Sequence, residues 1–286
     1  MAENPRYQSA SAFRRALEDR LRNFQNNEKA DIARLRKQIA FDRLLARLFD
    51  APDPQWILKG GYALELRLGN IARATKDIDF SIPHINDATA EKVRELLNKE
   101  ARKDKSDWFQ YRIGMAGEEF EQAVYGGWRF PVEALLDGRI FAKFHLDVGV
   151  GDAIISAPEW QSGPDFLSFA GIPPAHVALI PLVQQFAEKI HAYSYPWEDR
   201  TNSRTRDLID LVLLIDQTLP EKAIVAQAIQ ATFDRRKSHS VPVKLKEPPE
   251  RWKETYQQMA SDCGVSKKTM DEAFVLLENY WNEIFK

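Results

Sequence analysis

"ILKGGYALELRLGNIARATKDIDFSI", Ile57 to Ile82, is the stretch that decides how this chain is read. Two adjacent glycines separate a short apolar run from one with helical spacing. An alternating segment follows, "KDIDFSIP", with Ile78, Phe80 and Ile82 to one side and Asp77, Asp79 and Ser81 to the other. Aspartate is uncommon in strands. Two carboxylates two residues apart on a strand share a face and repel, so they call for a cation beside them, from Lys, Arg or a divalent metal. Mg²⁺ takes oxygen ligands and is commonly held by one or two carboxylates plus substrate phosphates. Taken alone, the pair better fits a one-sided strand whose acids face water, since surface strands with two acids are common. Gly60-Gly61 shifts that balance. At a strand-to-helix turn it lets the backbone approach a ligand, and the helix start offers free N–H groups to an anion. Glycine turn, helix and acidic strand together read as a phosphate cradle beside a metal platform.

Outward from this stretch the chain organises into two halves. Two amphipathic helices precede it, between about Ser9 and Asp50, in "FRRALEDRLRNF" and "IARLRKQIAFDRLLARLF". "QWIL" is a short strand, and "NDATAEKVRELLNKEA" a helix with an Asx or Thr start. From Trp108 to Val150, "WFQYRIGM", "WRFPVEALLDG" and "IFAKFHLDVGVG" are rich in aromatic and β-branched residues, with a hairpin turn signal at Asp137-Gly138. A Pro/Gly-rich connection follows Pro158. From Pro181 onward the pattern is helical. The reading is an α+β chain: a mixed sheet with flanking helices in residues 1–170, then a helical bundle in 171–286.

Bulk properties narrow the function classes. A chain of 286 residues buries a sizeable core, and its single cysteine, Cys263, excludes a disulfide framework and a cysteine-rich zinc site. Five histidines without an H-x-x-x-H pair argue against a zinc hydrolase. The first helix carries interspersed charges, so neither a signal peptide nor a membrane span is expected, and the lone thiol suits the cytoplasm. Net charge is −2, so nucleic-acid binding would have to come from a local patch. "RRKSHSVPVKLK" supplies one, with Arg235, Arg236, Lys237, Lys244 and Lys246 expected on a mobile loop. An ordinary solvated loop has the same composition.

Three later stretches continue the pattern of the first. "AKFHLDVGVGD" sets Asp147 in an apolar strand, with Asp152 in the glycine-rich exit. "EKIHAYSYPWEDR" places Lys189 three residues before Ala192 on a helix. "RTRDLIDLVLL" holds Asp207 and Asp210 on adjoining parts of one helical face, against an apolar stripe that obliges them to find partners.

With "KGGYALELRLGNIARATKDIDF", these stretches resemble the DNA polymerase β-like nucleotidyltransferase superfamily: the hG[GS] and D-h-D motif, then a third strand acid, a helical lysine and a helical D-x-x-D, in that order over about residues 57–214. Lys before Gly-Gly and "RATKDIDF" at the end are similar to the AbiEii/AbiGii group, the toxins of type IV toxin–antitoxin and phage-abortive systems that include the MenT toxins. The resemblance implies Mg²⁺, with Mn²⁺ as a substitute, held by Asp77, Asp79 and Asp147. It implies NTP phosphates held by Lys59, Gly60, Gly61 and Lys189, with Asp207 orienting the lysine or contacting the nucleotide, and Arg73 and Thr75 in the same pocket. Asp147 would also help deprotonate the acceptor hydroxyl. The group's usual arginine position holds Pro196 here, leaving Arg200 or Arg204 to substitute. The implied reaction is nucleotidyl transfer from an NTP to the 3′ end of tRNA by a monomer, with an AbiEi-like antitoxin as partner. A protein or small-molecule acceptor is the alternative, and an inactive binding module a further one.

Overall fold

The computed structural model describes residues 6–28, 31–51, 53–83, 87–119, 127–196, 204–217 and 219–286. Helices α1 (Ala10–Glu28) and α2 (Ile32–Leu48) come first. Phe13, Leu17 and Leu21 recur every four residues on α1 and are buried. The Asp31 carboxylate caps α2 by accepting from the Ala33 N–H. Strand β1 (Ile57–Lys59) runs directly into α3 (Gly60–Leu68), and β2 (Ile78–Ile82) returns beside β1. Helix α4 (Ala90–Ala101) is capped by Thr89 and leads to β3 (Phe109–Ile113), the short β4 (Glu118–Glu119), and the hairpin of β5 (Gly127–Leu136) and β6 (Arg139–Val150).

The segment expected as a Pro/Gly-rich connection instead carries β7 (Glu159–Ser162) and β8 (His176–Leu179). Each has only four residues, and prolines 173, 174 and 181 flank β8, so periodicity could not show it; its pairing with β1 through Leu58 and Leu179 is what makes it a strand. The expected division at residue 170 thus falls inside the sheet. Helices α5 (Leu182–Ser194), α6 (Thr205–Asp216), α7 (Lys222–Arg236), α8 (Lys253–Asp262) and α9 (Met270–Ile284) complete the chain, α9 with a full capping box of Thr269 and Glu272.

Among the described residues the sheet has eight strands in the order β3-β5-β6-β2-β1-β8-β7, with β4 also on β5. It is mixed: β2–β6 and β1–β8 are parallel and the other pairs antiparallel. Alternation gives it two unlike faces. Leu58, Ile78, Phe80, Leu146, Val148 and Phe130 form a buried layer with α1, α2 and α4. Phe41 of α2 bridges the layer, edge-on to Tyr62 at 4.9 Å and to Phe144 at 4.8 Å. A second apolar core, built by α5 to α9 with Leu64 of α3, begins at Val183. The polar face of the sheet and these helices bound one large cleft. No helix among the described residues is long and apolar enough to cross a membrane.

Candidate active site

Register alone assembles the centre of the cleft. Lys59 lies opposite Asp79 in the β1–β2 ladder, Asp79 opposite Asp147 in β2–β6, and Asp147 opposite Arg129 in β6–β5. Directly paired residues point to the same face. Four adjacent strands therefore present a row of charges: plus, minus, minus, plus.

The row is not neutralised in order. Arg129 grips Asp147 bidentately, Nε to Oδ1 at 2.8 Å and Nη2 to Oδ2 at 2.6 Å. Lys59 turns away from Asp79. It pairs with Asp152, and with Glu188 of α5 at 3.3 Å. Arg236 closes this second cluster at 3.3 Å from Asp152 and 3.4 Å from Glu188. Burial opposes ionisation of Asp152, but Lys59 and Arg236 outweigh it and hold the carboxyl far below its ordinary range.

The Asp79 carboxylate has no hydrogen bond or ion pair among the described residues. Burial, and then the charge of Asp147, push its carboxyl up to about 7. Gly60, with φ +65°, stands directly against it: a Cβ there would lie 2.0 Å from Asp79 Oδ2. Only glycine accepts both the dihedral and the contact. Asp77, expected on the strand with Asp79, sits just before β2. Its carboxylate, rather than its backbone, meets β6, accepting from the His145 N–H at 3.3 Å with His145 Nδ1 also at 3.3 Å. Thr75 likewise precedes the strand, yet it lines the cleft, with its hydroxyl donating to the Asp77 carbonyl at 3.3 Å.

The helical half supplies the opposite wall. Lys189 of α5 lies 2.8 Å from both Asp207 and Asp210 of α6. Asp207, expected to act on Lys189, contacts it, and Asp210 contacts it equally. Arg73 completes the group through two 2.8 Å bonds to the fully buried Asp210, and Arg204 approaches Asp207 at 3.5 Å. Burial would lower the Lys189 ammonium's pKa, but Asp207 and Asp210 outweigh it and hold it above the usual range. Arg204 is thus at hand where Pro196 departs from the family pattern; Arg200 lies outside the described residues. The Gln185 amide holds the Gly60 carbonyl at 2.8 Å, tying α5 to the glycine turn.

The basic patch is corrected. Arg235 and Arg236 end helix α7 rather than opening a loop. Arg235 donates to the Gly151 carbonyl at 2.8 Å, and Arg236 serves the Asp152 cluster. Lys237 ends the helix in the left-handed conformation, Lys244 sits 3.4 Å from Glu278, and the Lys246 carbonyl accepts from the Tyr193 hydroxyl at 2.7 Å. Loop and helix end pack onto α5 because buried Leu245 and the His191–Ser238 bond, 2.8 Å, draw them inward. Different cations line the cleft without an ion pair among the described residues: the exposed Lys76, Arg206 and Arg251.

The residues suit a divalent cation. No group of three or more His, Cys, Asp or Glu side chains among the described residues forms a ready cage. Mg²⁺ does not need one, because substrate phosphates complete its shell. An unpartnered, half-buried Asp79 beside Asp147, with Asp77 at the strand's start, is a donor set that a cation would relieve of its repulsion.

Comparison with known proteins identifies the family. The model of the AbiEii nucleotidyl transferase toxin family of type IV toxin–antitoxin systems matches residues 43–278. Among solved structures, MenT4, a nucleotidyltransferase toxin from Mycobacterium tuberculosis H37Rv, superposes with a TM-score of 0.61 at 16% identity, over 98% of this chain and 90% of that one. A nucleotidyltransferase-like protein from H. pylori gives 0.45 at 15% identity, over 89% and 95% of the two chains. The antibiotic-resistance factor ANT(2'')-Ia gives 0.37 at 18% identity, over 70% and 92%. No curated protein matches the sequence. The chain belongs to the AbiEii family and is a nucleotidyltransferase with the α+β fold expected of it.

Proposed function

We propose that this AbiEii-family chain transfers a nucleoside monophosphate from an NTP to the 3′ end of tRNA, which blocks aminoacylation and halts translation. The observation that carries the reading is Asp79, unpartnered beside Asp147 on the adjacent strand and pressed against Gly60 at the start of α3. Asp77, Asp79 and Asp147 would hold Mg²⁺, with Mn²⁺ able to replace it. When bound, the ion neutralises phosphate charge and stabilises charge building on the reacting oxygens.

The chain's own residues supply the rest. Backbone N–H groups at Gly60 and Gly61 face the phosphates from the first turn of α3. Lys189, kept charged by Asp207 and Asp210, adds a compact positive charge on the far wall. Lys59, Arg73 and Thr75 shape the pocket around it, with Lys59 and Arg73 acting through their carboxylate partners. The acceptor hydroxyl oxygen bonds to the α-phosphorus in line, the bond to the bridging oxygen breaks, and pyrophosphate leaves with both electrons. The hydroxyl proton passes to Asp147. The sheet half contributes the acids and the glycine turn, and the helical half, beginning near residue 180, contributes Lys189 and Asp207.

A macromolecular acceptor suits the cleft. Its volume of about 1280 Å³ leaves room for an acceptor end beside an NTP. Lys76, Arg206 and Arg251 on its walls are suited to a phosphodiester backbone. The setting is the cytoplasm, where NTPs and tRNA reside. The chain acts as a monomer there, and a cognate AbiEi-like antitoxin restrains it.

The test incubates the protein with each labelled NTP, Mg²⁺ and total tRNA, beside Asp77→Ala. Label in RNA, lost in the variant, is expected. Label confined to protein or a small molecule would overturn the tRNA acceptor, and no label anywhere would overturn the enzyme reading. Expression without an antitoxin should arrest growth, and Asp77→Ala should abolish the arrest.

A further inference from the structure

We propose that Arg129 is a positioning residue with two stations: it withholds Asp147 from the divalent cation until an incoming triphosphate draws it away. The inference rests on reading the strand acids as cation ligands.

The four-strand row motivates it. Of the two central carboxylates, Asp79 stands without a partner while both oxygens of Asp147 lie in the fork of one guanidinium. A bidentate fork occupies the in-plane lone pairs that a cation would use. The site is therefore half open, with one acid ready and its neighbour held. The grip is also movable. The Arg129 side chain is 37% exposed and lines the cleft, so it can swing without disturbing the apolar layer beneath the sheet. Lys59, Arg73 and Lys189 are less exposed, at 13–14%. A triphosphate in this cleft offers Arg129 a second anion with matching bidentate geometry. Moving onto it would free Asp147 at the moment the nucleotide arrives. Nucleotide and cation would then bind cooperatively through one side chain, and the acids would not be completed in its absence.

The same hairpin contains an internal comparison. Lys143 and Glu133 form a cross-strand pair on the same two strands, 2.7 Å apart and on the same face as Arg129 and Asp147. Its neighbour in the ladder is Arg112, opposite Glu133 on β3, rather than a second acid. If Arg129 merely zips the hairpin, the two pairs should respond alike to truncation.

The experiment measures Mn²⁺ binding to the metal-free full chain by electron paramagnetic resonance, with and without a non-hydrolysable NTP analogue. Variants are Arg129→Ala, Arg129→Lys, Asp147→Asn, Asp147→Asn with Arg129→Ala, Lys143→Ala and Asp79→Asn. Without nucleotide, Arg129→Ala should bind Mn²⁺ about tenfold tighter than wild type, the equivalent of one charge-assisted contact. Arg129→Lys, which cannot fork, should lie between them and covers the case in which the alanine variant fails to fold. With the analogue the gap should close, and the analogue itself should bind Arg129→Ala more weakly. Lys143→Ala should match wild type.

Two results would overturn the latch: Mn²⁺ affinity of Arg129→Ala within about twofold of wild type, or an equal gain in the Asp147→Asn background, which would mark a bulk charge effect. Mn²⁺ binding that is indifferent to Asp79→Asn, or absent from every variant, would instead sink the reading of the acids as ligands, and the latch with it.

Discussion

Gly60→Ala tests the centre of the site most directly. The residue has φ +65°, a region where a side chain costs about 1–2 kcal/mol. An added Cβ would also lie 2.0, 2.5 and 2.8 Å from the Oδ2, Cγ and Cβ of Asp79. The first two contacts yield to rotation of the carboxylate, at about 0.5–1.5 kcal/mol for an off-rotamer side chain. The third is close to the strand backbone and does not. The expected loss is about 1.5–3.5 kcal/mol, which at about 2–4 °C per kcal/mol lowers Tm by roughly 3–14 °C. Activity should fall further than stability, because a carboxylate displaced by about 1 Å costs on the order of 100-fold.

Gly61→Ala is the control. Its Cβ would meet side-chain atoms of Thr75 at 2.9 Å and Arg73 at 3.1 Å, and its φ is not positive. Chemical denaturation and nucleotidyl transfer assays read both variants, and a double-mutant cycle with Asp79→Gly separates the two causes. In that background the contact vanishes and only the backbone cost of about 1–2 kcal/mol should remain. An equal loss in both backgrounds, or a Gly60→Ala enzyme as active as Gly61→Ala, would refute the assignment of Gly60 to the Asp79 contact.

Asp79→Asn should inactivate the enzyme yet stabilise the metal-free protein. The folded carboxyl keeps its proton up to about 7 while the unfolded one releases it near 3.8, so ionisation costs stability as pH rises through that window. In EDTA at about pH 8 the variant should exceed wild type by about 1–3 kcal/mol, and a flat difference from about pH 5 to 8 would contradict this. Lys189→Met should cost about 3 kcal/mol in urea denaturation, since it strips a partner from Asp207 and the fully buried Asp210; a loss below about 0.5 kcal/mol would show that Arg73 and Arg204 suffice. Arg206→Ala with Arg251→Ala should raise the KM for tRNA at least about tenfold and leave that for NTP unchanged, whereas Lys237→Ala with Lys244→Ala should alter neither; the reverse pattern would return the acceptor to the loop.

The sequence by itself determined the parts whose meaning is local. Gly-Gly between a strand and a helix, acids in an alternating run, and acids beside an apolar helical stripe each state a requirement at short range; β1 does run through Gly60 into α3, while of the two strand acids only Asp79 lies within β2. Asp207 and Asp210 needed a cation, and Lys189 lies within 2.8 Å of both. The tertiary structure decided who partners whom across the sheet. Arg129 shows why. Leu136 pairs with Arg139 at the hairpin turn, and an unbroken ladder from there would set Trp128 opposite Asp147. The register shifts beside Leu135, leaving Phe141 as an extra residue, and Arg129 takes that place instead. The one sign in the sequence is the broken alternation at Phe141-Ala142, both buried. Lys59, in line with Asp79, is drawn to Asp152 and Glu188 because those carboxylates arrive from elsewhere in the chain. Arg236 leaves the basic patch for the same pair. Charge partners across strands depend on register, and a one-residue slip exchanges the faces of a strand, so which acid is held and which stands open was settled only when the ladders closed.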